Sequence, residues 1–214
     1  MTTIIMVRHG ESEANRMGVF AGNFDADLQG RGLKQAEKTA EFIANTYKVD
    51  KIYASDLKRA FKTGKAIGDR LGMEVIPEPR VREISAGEWE GKTFVELEEQ
   101  FAESYGIWRS DVGNARCPGG ESTRELGARI LAVLTEIAEA NEGKTVVVAT
   151  HATPVRVMQV HTQGGGDFNT MKDIKWVSNA SVSEFFYENG KFTCGKISQD
   201  AHLGDMSTSL PANV

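Results

Sequence analysis

The sequence predicts an α/β domain of three layers, a mostly parallel sheet between two layers of helices. Three patterns carry this. Short apolar runs alternate with longer amphipathic stretches along most of the chain, the order that βαβ units produce. One run, TVVVAT at 145–150, is apolar throughout, as a strand covered on both faces must be. Near the C-terminus NASVSEFFYENGKFTCGKIS sets Asn-Gly between two alternating stretches. That is a hairpin signal, and the hairpin adds antiparallel pairing at a sheet edge.

The elements follow in order. Residues 3–8 form the first strand. The loop GVFAGNFDADLQG after it is longer than a connector needs, which points to function. RGLKQAEKTAEFIANTY sets Leu33, Ala36, Ala40, Ile43 and Tyr47 on one helical face. KIYAS is a short strand. DLKRAFKTGKAIGDRLG is a second amphipathic helix, with Leu57, Ala60, Phe61, Ile67 and Leu71 as its stripe and Gly72 as its stop. MEVIPEP is a strand ended by prolines. GKTFVELEEQFAESYGIW reads as acidic and helical and is expected to be an exposed or lid element; whether residues 93–120 form a lid stays open. The next helix carries Leu126, Ile130, Val133, Leu134 and Ile137, with Gly143 as its stop. After TVVVAT the chain turns helical from about Thr153. Residues 199–214 are polar and expected to be a loose tail. With no repeat or linker, 1–214 is expected to be a single domain.

Composition narrows the function. Net charge is −5, which argues against general nucleic-acid binding and confines any basic site to a few arginines. Cys117 and Cys194 have no C-x-x-C spacing, so neither a disulfide framework nor a structural zinc site is expected. There is no 18-residue apolar stretch and no export signal. The expectation is a cytoplasmic protein without a membrane partner.

Ligands of open α/β sheets bind at the carboxyl ends of the strands, and three strand exits here carry unusual residues. The first gives Arg8 and His9. The second gives Ser55 or Asp56 as a helix cap and Arg59 in the first helical turn. TVVVAT gives His151. Arg59 lies at the positive end of its helix, an arrangement that invites an anion. Arginine forks match phosphate oxygens, and a neutral imidazole is a nucleophile toward phosphorus. A leaving oxygen then needs a proton donor, for which VREISAGEWEG offers Glu83, Glu88 and Glu90.

Together VRHGESEAN, SDLKRAFKTGKAI, VREISAGEWEG, PGGES and ATHATPVR, in that order over roughly residues 4–156, resemble the histidine phosphatase superfamily. It is also called the phosphoglycerate mutase-like family. The resemblance implies a phosphoglycerate mutase-like fold and a metal-independent phosphomonoester phosphatase with no cofactor. It implies His9 as the phosphorylated nucleophile, with Arg8, Arg59 and His151 holding the phosphoryl oxygens and Glu83 as general acid. Asn15, Gly22 and Asn23 would meet substrate. This chain has His151-Ala152 where many members have His-Gly, and Ala152 would still offer its N–H. The implied partners are a small phosphorylated metabolite and inorganic phosphate as product; a homodimer stays open.

Other readings have less support. His151 and His161 are ten residues apart, about 280° around a helix, so they share no metal-binding face. His9-x-Glu11 lacks the P-C-x-x-C of zinc deaminases. Thr63-Gly64-Lys65 lacks the P-loop frame. A phosphoglycerate mutase and a non-catalytic phospho-ligand module remain as alternatives. Against the mutase, PGGES resembles the phosphatase branch and the stretch from Glu83 to His151 looks short. Phe20, Phe24, Tyr105, Trp108, Arg109 and Arg116 lie in segments able to cover the crevice.

Overall fold

The computed structural model describes residues 1–208. In chain order it contains β1 (Thr2–Arg8), α1 (Glu13–Met17), α2 (Gly30–Thr46), β2 (Lys51–Ala54), α3 (Lys58–Leu71) and β3 (Val75–Pro77). Then come α4 (Phe94–Gln100), α5 (Ala102–Ser110), α6 (Thr123–Glu139), β4 (Thr145–Thr150), α7 (Ala152–Gln163), β5 (Val182–Glu188) and β6 (Lys191–Cys194). The six strands form one sheet in the order β3-β2-β4-β1-β5-β6. Pairing is parallel from β3 to β1 and antiparallel through β5 and β6. The expected α/β architecture, with its edge hairpin, is what forms. Asn189 and Gly190 both take positive φ at the hairpin turn, the pair a two-residue I′ turn requires.

Alternation in the two central strands sets the layers. Ile4 and Met6 of β1 and Val146 and Val148 of β4 join the core beneath α6 and α7. Ile5, Val7 and Val147 face the other way, into the core with Ala40 of α2 and Ile67 of α3. All seven of these strand side chains are fully buried, each worth about 1.5–3 kcal/mol of apolar transfer. Register then aligns the exits. Arg8 pairs with Thr150 and Ala54 with Ala149, so His9, His151 and Ser55 leave the sheet along one edge.

Several local expectations are corrected. Leu33 is 45% exposed; the buried face of α2 starts at Gly32 and runs through Gln35, Ala36, Thr39, Ala40 and Ile43. The rotation follows from a close approach: a Cβ on Gly32 would meet Glu11 O at 2.0 Å, and one on Gly10 would meet Gly32 O at 2.4 Å. Neither Ser55 nor Asp56 caps α3. Its N-cap is Leu57, and the Lys58 N–H is taken by Asp25 Oδ1 at 2.8 Å. Helix α6 ends at Ala140 rather than Gly143, where the buried Asn141 side chain donates to Ile137 O at 2.8 Å. The α4–α5 segment does not stand clear of the body: Leu97, Tyr105 and Trp108 are buried. Residues 199–208 of the expected tail are held against the body. Gln199 bridges to Val182, Leu203 is buried, and Gln35 Nε2 donates to Met206 O at 2.7 Å. Residues 209–214 of the expected tail lie outside the described residues.

Candidate active site

The aligned strand exits open into a cavity of about 100 Å³ lined by Arg8, His9, Asn15, Gly22, Arg59, Glu83 and Ala152, among others. His9 is 4% exposed. Its Nδ1 lies 2.7 Å from Gly10 O. A carbonyl can only accept, so Nδ1 carries the proton and Nε2 keeps a lone pair. The turn is held firmly: Gly10 N–H donates to Thr63 Oγ1 at 3.1 Å, and Glu11 N–H to Gln35 Oε1 at 2.7 Å. Asn179 Nδ2 reaches both His9 O and Asn15 Oδ1, each at 3.2 Å. Ser12 N and Oγ also donate to Asn15 Oδ1, which leaves the Asn15 amide nitrogen for a ligand.

Both arginines are buried and neither has a carboxylate hydrogen-bonded to it. Arg8 Nη1 donates to Val177 O at 2.5 Å. Arg59 donates to Phe24 O at 2.8 Å and Gly22 O at 2.7 Å. The Nε of each has no partner. Burial, the largest cause, pushes both guanidiniums down to about 10 against the pull of Glu83. The cluster is thus short of negative charge, which an anion would supply.

His151 is fully buried and does not line the cavity. It stands edge-on to His9 with ring centroids 5.2 Å apart. Its Nε2 bonds Ser55 Oγ at 2.9 Å, and its Nδ1 has no partner. Asn23 does not line the cavity either. Its N–H donates to Glu90 Oε1 at 3.0 Å, so it secures the loop behind Gly22.

Of the three candidate acids only Glu83 lines the cavity. Glu90 Oε1 also accepts from Ala86 N at 3.0 Å, and Glu88 is exposed. Glu83 accepts from Ile84 N at 2.9 Å and Thr153 N at 3.3 Å. PGGES stands behind it. Ser122 and Glu125 form a capping box on α6, while Glu121 accepts from Ser85 N and pairs with Arg129 at 2.7 Å. Arg129 in turn donates to Glu83 O at 3.2 Å.

Sequence reading missed Ser55 as the His151 partner, Thr63 and Asn179 as supports of the His9 turn, and Thr153 beside Glu83. It also missed Ile84, Phe94 and Trp176 on the cavity wall, while Phe20 and Trp108 of the covering segments do line it. Phe24 is half-exposed, Tyr105 packs on Trp89, and Arg109 and Arg116 pair with Glu98 and Glu125. Among the described residues no group of three or more His, Cys, Asp or Glu side chains is arranged to hold a metal ion. No helix among them is long and apolar enough to cross a membrane.

Residues 4–200 match the histidine phosphatase superfamily, branch 1. The chain belongs to the histidine phosphatase superfamily. It is 34% identical to phosphoserine phosphatase 1 of Hydrogenobacter thermophilus over 96% of both chains. Among solved structures it is similar to an Entamoeba histolytica phosphoserine phosphatase, a His-to-Ala mutant in complex with phosphoserine. That likeness has a TM-score of 0.82 and 26% identity over 95% of this chain and 100% of that one. A mycobacterial glucosyl-3-phosphoglycerate phosphatase bound to VO3 gives 0.84 and 25% over 92% and 99%. This histidine phosphatase is accordingly a phosphatase, a hydrolase that acts on a small phosphorylated substrate.

The charge shortage in this phosphatase has a consequence for stability. Burial first, then Arg59 and Arg8, holds His9 well below its usual 6.5. Burial first, then Arg59, His9 and Arg8, does the same to His151. Below about pH 6.5 the unfolded chain therefore takes up protons that the native state refuses, and stability falls as pH falls toward the folded values. A bound dianion offsets the repulsion and lets the imidazoles protonate in the fold. Millimolar sulfate should raise Tm more at about pH 5.5 than at about pH 7.5. Thermal melts with and without sulfate check this; a pH-independent increment would contradict it.

Proposed function

We propose that this phosphatase hydrolyses small phosphomonoesters through a phosphohistidine on His9 without a metal ion. One observation carries the reading. The bond from Nδ1 to Gly10 O leaves the His9 Nε2 lone pair free beside two buried arginines. Nε2 attacks phosphorus in line, and the bond to the leaving oxygen breaks. Arg8, Arg59 and Asn15 hold the equatorial oxygens. His151, held at Nε2 by Ser55 and edge-on to His9, supports the His9 ring from outside the cavity lining. The Ala152 N–H, at the start of α7, adds a backbone donor. Protonated Glu83 gives its proton to the departing alkoxide. As a carboxylate it then takes a proton from the water that splits phosphohistidine, returning neutral His9 and inorganic phosphate. We read 1–214 as one such domain.

The test is phosphate release from a panel of monoesters in excess chelator, together with 3-phosphoglycerate primed by a trace of 2,3-bisphosphoglycerate. Activity should survive chelation, and net phosphate release should dominate. Loss with EDTA and recovery with Zn²⁺ or Mg²⁺ would refute metal independence. Fast formation of 2-phosphoglycerate with little free phosphate would make the enzyme a mutase.

A further inference from the structure

The remaining wall of the cavity is largely apolar and carries four aromatic rings. Phe20, Phe94, Trp108 and Trp176 line it together with Ile84. Phe20 stands edge-on to Trp108 with centroids 5.1 Å apart, and Trp108 leans on Trp176 at 6.4 Å. The Arg156 guanidinium lies 4.0 Å over the Trp176 ring. It is itself fixed by bonds to Met171 O and Ile174 O, so Trp176 is clamped by a buried cation that does not line the cavity.

Charge is the second observation. The only cationic side chains among the lining residues are Arg8 and Arg59, and the phosphoryl group takes both. Arg109 and Arg116 do not line the cavity and pair with Glu98 and Glu125 at the surface. The sequence 209–214, SLPANV, adds no charged side chain. A carboxylate on the leaving group would lose water against indole and phenyl faces and find no countercharge there. An aromatic ring would gain apolar burial and edge or offset contacts with these rings.

We infer that the preferred substrate is a phosphomonoester whose leaving group is an uncharged alcohol carrying an aromatic ring, not a carboxylate-bearing alcohol. This rests on the phosphatase reading above.

The experiment compares kcat/KM for 2-phenylethyl phosphate, propyl phosphate and phosphoserine, all alkyl esters, so that leaving-group acidity does not decide the ranking. The phenylethyl ester should lead both others by roughly thirtyfold or more. In Trp176→Ala its advantage over propyl phosphate should shrink toward one, and in Trp176→Arg phosphoserine should gain on it. Trp176 is only partly buried, and melting curves would confirm that both variants fold. Phe20→Leu gives a second reading of the same ratio. Phosphoserine equal to or ahead of the phenylethyl ester, with phosphohistidine still trapped, would overturn this inference alone. The carboxylate would then be held by backbone amides at Ala21 and Gly22. An advantage unchanged in both Trp176→Ala and Phe20→Leu would also overturn it. Absence of phosphate release and of phosphohistidine with every ester would overturn the phosphatase reading, and the inference with it.

Discussion

His9→Ala should lower kcat by about 10⁴-fold or more, because the group removed is the one that forms the covalent bond. No neighbour can take its place. His151 is the nearest imidazole, but its Nε2 is bonded to Ser55 and the ring lies outside the cavity lining. Wild-type enzyme quenched during turnover should carry phosphate that is labile in acid and stable in base, and His9→Ala should carry none. Anion binding should persist in the variant, since Arg8 and Arg59 donate to the carbonyls of Val177, Phe24 and Gly22 and not to His9. Retained phosphate binding with turnover gone separates loss of the nucleophile from loss of the fold. A fall of less than tenfold, or phosphate trapped on the variant, would remove His9 from the mechanism.

What the sequence made legible was local. Strand exits are readable because β1 and β4 alternate into two cores, so the residue after each strand is placed by the sheet itself. Arg8, His9 and His151 were therefore placed from sequence alone. Arg59 follows because it lies in the first turn of the helix that comes after β2. Most of the misreadings share a cause, a partner far away in the chain; the early end of α6, set by Asn141 on Ile137 O, is the local exception. The cap of α3 comes from Asp25, and the face of α2 is turned by contact of Gly32 with Glu11. Ser55 looks like a cap until His151, ninety-six residues on, takes its hydroxyl. Asn179 opens the hairpin, and nothing nearby in the sequence says that its amide supports the His9 turn. The aromatic wall has the same origin. Phe20, Trp108 and Trp176 come from three separated segments, and no periodicity within any one of them reports that they meet.

Glu83→Gln should divide substrates by their leaving groups. Glutamine keeps the size of the side chain and an oxygen for the Ile84 N–H, and gives up only the longer 3.3 Å bond from Thr153 N. Arg129 and Glu121 hold the surrounding backbone whichever residue is present. What is lost is the transferable proton. An alkoxide departs poorly without it, so kcat/KM for an alkyl phosphate should fall by about 10²–10⁴. A nitrophenolate departs with little protonation, so kcat/KM for p-nitrophenyl phosphate should stay within about tenfold of wild type. That ratio reports only the steps up to phosphorylation of His9. Hydrolysis of phosphohistidine also uses Glu83, as base, so kcat for the aryl ester should still drop. Nitrophenol should then appear in a burst of about one equivalent per site, followed by a slow phase. Stopped-flow absorbance and steady-state kinetics on both esters give these quantities. Equal losses in kcat/KM on the two esters, with no burst, would mean that Glu83 only braces the wall between Ile84 and Thr153 and that the proton comes from another group.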